Sequence, residues 1–485
     1  MCLRSTIFAI LVFLSFQANA QKEANVWCFG NYAHLDFNTT NGAPVNRTNS
    51  VITTLEGCAS IADKNTGALL FYTDGTYVWN RNHNQMPNGN GLLGNSSASQ
   101  SGIIVPKPGT TNRYYIFTVP SSPATGLNYA EVDMSLQSGL GDVVVTSGVK
   151  NHFLFNPVAD KVTAVAHANG RDIWVIAQHN TNWNLYAFLV TSAGVSTTPV
   201  ITTATSVPVG NVTHGGCTKA SVDGRKLAVA TAWKYTLQIF DFNNSTGQLT
   251  NPIVITKNSN NDYNPYGIEF SPDNKLLYVT DWFGPSIYQY NLAAGSTASI
   301  ISSEHRLNAS GSFSIEGLQL APDQKIYCTR MINGSTGTNW LARINVPNAL
   351  GNACNYVDTA FQLNSGATGR MGLPTFIQSF FAPTVLDISE ACYPSPVQIG
   401  LKDTALADSV LFNYGDPSSG SSNTSRNELD SHSFSSPGRY VVTAWVWYTD
   451  KGAVVKDTLV DTVDVIAAPQ ITLGPDTTVC HLDSI

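Results

Sequence analysis

The sequence predicts an all-β protein whose larger part is a seven-bladed β-propeller. A plan of short strands and tight turns recurs about every fifty residues, the period of propeller blades. Seven such units follow one another, the last lacking strands that the N-terminus can supply. The composition suits half-buried strands joined by turns: 38 glycines in 485 residues, 10% aromatic and only 12% charged.

Hydrophobic residues make up 43% of the chain, enough for a large core and too many for a globally disordered one. The net charge of -7 argues against a nucleic-acid partner, which needs a basic footprint to displace phosphate counterions. Past the N-terminus no apolar run approaches the roughly 20 residues of a membrane span. Residues 1–20 read as a secretory signal peptide: Arg4, the apolar run Ile7 to Leu14, then Ala18-Asn19-Ala20 as a small-x-small cleavage site. The expected location is therefore outside the cell or on its surface. After residue 20 the chain carries Cys28, Cys58, Cys217, Cys328, Cys354, Cys392 and Cys480, with no C-x-x-C pair. A zinc site is not expected, and spacing leaves disulfides and buried thiols equally open.

The first unit runs from Glu56-Gly57-Cys58 through Leu69 to Thr73 and Tyr77-Val78-Trp79, and reads as a four-stranded meander. Its turn Asp74-Gly75 is a hairpin signal in which both positions take positive φ. Later units open at Ser101-Gly102, Lys161, His214-Gly215, Tyr266-Gly267, Glu316-Gly317 and Arg370-Met371-Gly372, at steps of 45 to 60 residues. Two of them carry Ser271-Pro272-Asp273-Asn274-Lys275 or Ala321-Pro322-Asp323-Gln324-Lys325 before an aromatic strand. The last unit breaks off after Phe381. Asn25 to Gly30 and His34 to Phe37 have the two missing strands, and joining them to 372–381 closes the ring and removes exposed edges. The propeller is expected over 21–383.

The run Ser271 to Thr280 resembles YVTN and WD-repeat-like propeller modules, and Glu56–Ser60, Leu69–Asn88 and Asn348–Asp358 resemble propeller-containing surface proteins that Bacteroidota export by type IX secretion. Over 384–468, Phe412-Asn413-Tyr414-Gly415-Asp416, His432-Ser433-Phe434 and Pro437-Gly438-Arg439-Tyr440-Val441-Val442 resemble a PKD module, which implies an immunoglobulin-like sandwich. Pro417 stands where that family has a second turn glycine. Tyr440, Val442, Ala444 and Val446 alternate with Val441, Thr443, Trp445 and Trp447, as in a two-faced strand. Residues 469–485 read as the start of a further module or a disordered tail, and the sorting domain of type IX cargo is not visible.

Catalytic motifs are scarce: H-E-x-x-H, G-x-S-x-G, a Walker loop and an EF-hand loop are all missing, and no cofactor or metal is expected. Thr73 to Trp79 loosely matches a sialidase Asp-box, but a turn explains it. The polar residues beside the unit glycines (Glu56, Ser101, Lys161, His214, Tyr266, Glu316 and Arg370) should ring one mouth of the axial channel. They are candidates for polar-ligand binding or acid–base work. A hydrated plug of mutually paired charges is the simpler reading, since buried charges need partners. Trp183, Trp233 and Trp282-Phe283 are candidate stacking platforms, with packing between blades as the alternative. Thr359, Thr404, Ser409, Thr458 and Thr462 each follow an aspartate and precede an apolar residue; the Bacteroidota resemblance implies O-glycosylation there, and strand starts explain them as well. The leading functional reading is a secreted or cell-surface recognition or adhesion protein with the propeller as binding head, the second module as spacer, and a polysaccharide or surface protein as partner. The alternatives are an extracellular hydrolase or lyase working at the channel mouth, and a structural envelope protein.

Overall fold

Short runs of β-branched and aromatic residues, punctuated by Gly, Asn and Asp turns, build nearly every element of the chain. The computed structural model describes residues 22–39, 42–122, 124–146, 148–203, 210, 215–257, 263–308, 313–332, 336–382, 386–389, 392–401, 409–450 and 453–467. The signal-peptide reading, His214, Thr404, Cys480 and the 469–485 segment therefore lie outside the described residues. The one α-helix among them, Thr297–Ser302, is six residues long, and no helix is long and apolar enough to cross a membrane. One compact unit spans Gln21–Ala382, and a second begins at Pro383.

Among the described residues of the first unit, seven antiparallel sheets follow one another in chain order. Sheet I comprises Val26–Phe29, Ala33–Asp36 and Val45–Asn46. Sheet II comprises Ala59–Ala62, Leu69–Thr73 and Val78–Asn80. Sheets III to VII open with Gly102–Pro106, Val158–Ala166, Thr218–Ala220, Pro265–Phe270 and Phe313–Leu320. The opening strands of sheets II to VII lie side by side in that order, which is the arrangement of a β-propeller.

Sheet II has three strands, where four were expected. The segment after Asn80 is dominated by Asn, Gly and Ser and has almost no β-branched residues, so it runs as loop. Its hairpin turn also differs from the expectation. Only Gly75 takes positive φ (88°), because the Asp74 carboxylate accepts the Thr76 and Tyr77 N–H groups at 2.8 and 2.7 Å and holds a longer turn.

The C-terminal segment of the unit lies between sheets VII and II. Met371 N donates to Leu55 O and Thr375 N to Cys58 O, while Asn31 and Thr368 exchange both backbone hydrogen bonds at 2.9 and 3.0 Å. This contact is a single bridge and not a ladder, and Gln378–Phe381 turns into a 3₁₀ helix. Gly369, Gly372 and Pro374 explain the difference from the expected strand: two glycines weaken it and the proline lacks a donor. Trp27 of sheet I is fully buried beside this segment, with ring centroids 4.9 Å from Phe37, 5.9 Å from Tyr327 and 6.0 Å from Phe376. Its indole N–H donates to Ala24 O at 2.8 Å.

Six cysteines are described, and all are free thiols. Burial raises the thiol pKa of Cys28, Cys58 and Cys328.

The second unit holds two sheets over one core. Leu386–Ile388, Val397–Leu401 and Leu429–His432 form one. Cys392–Tyr393, Ala453–Ala467, Gly438–Asp450, Ser409–Asn413 and Thr424–Ser425 form the other. Val442, Ala444 and Val446 face inward, meeting Val397, Ile399, Val410 and Phe412. Gly415 takes φ 70°, and a Cβ there would collide with Val441 O; Pro417 starts a 3₁₀ turn. The buried Asp416 carboxylate accepts from Ser435 Oγ at 2.6 Å, Ser435 N at 2.8 Å and His432 Nε2 at 3.2 Å. These donors hold its pKa below the usual carboxylate value despite desolvation. Asp416→Ala would strand them, at a cost of about 1–3 kcal/mol, readable as a lower denaturation midpoint of this unit. Because the folded pKa is depressed, this contribution is present above the ordinary aspartate value and is lost as pH falls through the folded one. An unchanged midpoint at pH 7 would refute the role given to Asp416.

Candidate functional site at the end of the propeller axis

The unit glycines pack the opening strands against one another. A Cβ on Gly57 would collide with Ser101 N, one on Gly267 with Glu316 O, one on Gly317 with Met371 O, and one on Gly372 with Glu56 O. Three of the predicted polar positions are thereby brought together at one end of the axis: Glu56, Tyr266 and Glu316.

Glu56 is buried and accepts from Tyr266 Oη at 2.8 Å, Ser97 Oγ at 3.2 Å and Ser99 Oγ at 3.3 Å. Desolvation, reinforced by the nearby Asp160, pushes its pKa up to about 7. Glu316 is fully buried. Its Oε1 accepts from Phe283 N at 3.2 Å, while Oε2 has no hydrogen-bond partner. Burial, with Asp281 and Glu56 as neighbouring negative groups, pushes its pKa up to about 8. Tyr266 is buried and stays a neutral phenol, its pKa driven well up by burial.

The remaining predicted residues do other things. Ser101 is fully buried with no partner for its hydroxyl. Lys161 is fully buried, and its ammonium donates to Ala230 O at 2.6 Å and Gly215 O at 3.3 Å, with burial holding its pKa below the lysine range. Arg370 is half-buried, with an unpartnered Nε.

Among the described residues neither glutamate forms an ion pair with Lys161 or Arg370. The expectation of a plug of mutually paired charges is therefore corrected. The Lys161 ammonium is satisfied by backbone carbonyls, and the glutamates lower their charging cost by retaining protons.

The sequence reading missed Asp160 and Asp281. Asp160 Oδ2 accepts from Ser99 Oγ, Ser99 N and Gly215 N at 3.0, 3.3 and 3.0 Å. Asp281 Oδ1 accepts from Asn264 N at 2.8 Å. The available signal was adjacency, since Asp160 precedes Lys161 and Asp281 precedes the aromatic pair.

An aromatic stack lies against the acidic cluster. Trp282 stacks on Tyr266 at 5.2 Å between centroids and on Phe283 at 4.8 Å, and Trp233 meets Trp282 edge-on at 5.1 Å. Trp233 and Phe283 are 51% and 48% exposed, and both hold left-handed backbone, φ 58° and 61°. Trp183, by contrast, is buried and donates to Gly210 O at 2.8 Å. It packs, whereas Trp233 and Phe283 form a surface. Such an arrangement can stack a flat apolar face.

Thr359, Ser409, Thr458 and Thr462 are exposed. No group of three or more His, Cys, Asp or Glu that could hold a metal occurs among the described residues.

No protein-family model matches the chain, and no curated protein matches it. Several solved structures are similar at low identity. A periplasmic gluconolactonase of Pseudomonas aeruginosa is 12% identical, with 81% of this chain and 92% of that one covered and a TM-score of 0.38. A β-propeller domain from Myceliophteria thermophila is 11% identical, with coverage of 64% and 95% and a TM-score of 0.36. Hydrazine synthase of Kuenenia stuttgartiensis is 12% identical, with coverage of 69% and 99% and a TM-score of 0.37.

Proposed function

We propose that this is an exported recognition protein, secreted or held at the cell surface. Its seven sheets act as the blades of a propeller-shaped binding head, and its second unit is an immunoglobulin-like module of PKD type serving as spacer. The signal-peptide pattern of residues 1–20 supports export, and the resemblance to type IX cargo suggests the route. The observation that carries the binding role is the stack of Trp233, Trp282, Phe283 and Tyr266 against the buried Glu56 and Glu316. A polysaccharide fits this surface, because a pyranose ring offers an apolar face to the exposed Trp233 and Phe283 rings.

A glycan array probed with the protein from residue 21 onward tests the reading. The double variant Trp233→Ala, Phe283→Ala should keep its melting temperature, since both side chains are about half exposed, and lose roughly tenfold to hundredfold in glycan affinity. That corresponds to about 1–3 kcal/mol for two aromatic contacts. Glycan binding undiminished in the variant, or no glycan bound by the parent, would overturn it.

A second reading, an extracellular hydrolase or lyase at the same site, is favoured by one observation: both glutamates retain protons near neutral pH, as general acids do. Turnover of a bound glycan, lost in Glu316→Gln, would select it over simple binding.

A further inference from the structure

We propose that a cleft between sheets I and II, separate from the axial site, binds a small sugar acid, with Arg81 taking the carboxylate and the His34–His83 pair reading a hydroxyl. The cleft has a volume of about 280 Å³ and is lined by His34, Asp36, Arg47, Asn49, Arg81 and His83, among others.

The charge arrangement selects an anion. Asp36 Oδ2 is taken by Arg47, with Nε at 2.9 Å and Nη2 at 2.8 Å, and its Oδ1 accepts the Asn38 backbone and side-chain N–H groups at 2.8 Å each. Asp36 and Arg47 therefore neutralise each other. Arg81 is exposed and has no ion pair among the described residues, so its guanidinium leaves the cleft with a net positive charge. A planar guanidinium presents paired donors that match a carboxylate.

The imidazoles select a hydroxyl beside that anion. His34 is 8% exposed, and its Nδ1 lies 3.2 Å from Thr48 O; a carbonyl only accepts, so Nδ1 carries the proton and Nε2 is an acceptor. Burial keeps this ring neutral. Nε2 has no hydrogen bond among the described residues. His83 Nδ1 lies 3.1 Å from Tyr72 Oη, which accepts from Val51 N at 3.3 Å. With the phenol proton donated to His83 Nδ1, Nε2–H of His83 is left as a donor; this tautomer is an assignment made as part of the proposal. The two rings meet edge to face at 5.2 Å. An acceptor on one ring beside a donor on the other matches an alcohol, which gives one hydrogen and accepts another. Asn49 and His83 both hold left-handed backbone, φ 76° and 62°, so two lining residues carry conformational cost at one place.

The test is calorimetric titration of the full chain with D-galacturonate and D-glucuronate, with D-galactose and sulfate as controls. Arg81→Gln removes the charge from an exposed position. His83→Asn removes the imidazole while keeping a residue that tolerates left-handed backbone. The expected result is saturable binding of at least one of the uronates, at least tenfold weaker binding of galactose and of sulfate, and at least a tenfold loss in each variant with the melting temperature of Arg81→Gln unchanged. Failure of both uronates to bind, sulfate binding as tightly as the uronate, or affinity indifferent to Arg81→Gln would overturn the proposal. Trp233 and Phe283 play no part in this cleft, so the double variant at the axial site should bind uronate as the parent does; loss of uronate binding there would also overturn it.

Discussion

Trp27→Ala is expected to destabilise the Gln21–Ala382 unit by about 3–5 kcal/mol, the cost of emptying a large buried aromatic site that cannot collapse around the loss. The indole meets Phe37 of its own N-terminal segment and rings from two distant stretches of chain, Tyr327 in sheet VII and Phe376 in the closing segment. Its neighbours in the same core include Leu35, Ile326 and Leu341. Sheets I and VII and segment 367–377 are held together there largely by side chains, because among the described residues the backbone bridge between Asn31 and Thr368 is a single one. Deleting residues 21–39 removes the same contacts together with two strands of sheet I, and should release an open sheet edge that self-associates. Thermal and urea unfolding, with sedimentation to follow association, check both. A melting temperature within about 2 °C of the parent for Trp27→Ala, or a monomeric deletion variant of unchanged stability, would refute closure through sheet I.

Glu56 and Glu316 should make the stability of the same unit fall as the solution becomes alkaline. In the unfolded chain each releases its proton near the ordinary glutamate value, whereas the folded groups hold theirs up to about 7 and about 8. Across that window the folded state binds more protons than the unfolded one. The stability is therefore full below the unfolded pKa and is lost as pH rises through the folded values. At about 1.4 kcal/mol per unit of pKa difference, the two groups together amount to several kcal/mol.

Glu316→Gln keeps the volume and cannot ionise. It should leave the melting temperature at pH 5 nearly unchanged and raise it above the parent at pH 8.5. Glu56→Gln should do the same less strongly, since Tyr266, Ser97 and Ser99 already stabilise its charged form. A charge-paired plug predicts the reverse, a loss of stability at every pH because Lys161 and Arg370 would be stranded. Lys161 is bonded to Ala230 O and Gly215 O instead. Parallel pH profiles for the parent and Glu316→Gln would overturn this account.

The legible part of this protein was its local pattern. The recurrence of polar-Gly openings before apolar strands is written in stretches of fifty residues, and the all-β class and the propeller plan follow from it. The glycines beside Glu56, Tyr266 and Glu316 could be read as close-approach positions, because a missing Cβ has few other uses inside a strand. Where the pattern weakened, the reading erred. Glu56 to Trp79 reads as a four-stranded meander but holds three strands, and Gly372 to Phe381 reads as part of the closing blade although Gly372 and Pro374 lie at its start.

By itself the sequence determined the repeat, the turn chemistry, the candidate polar positions and the lack of metal-type spacing among the cysteines. These depend on neighbours a few residues away. Only the tertiary structure decided which polar groups meet. Tyr266 donates to Glu56 across 210 positions of chain, Phe283 N reaches Glu316 across 33, and His34 meets His83 across the gap between two sheets. The same holds for charge. Whether a glutamate at such a position is paired, protonated or free depends on desolvation and on neighbours brought in by ring closure, and sequence spacing carries neither quantity.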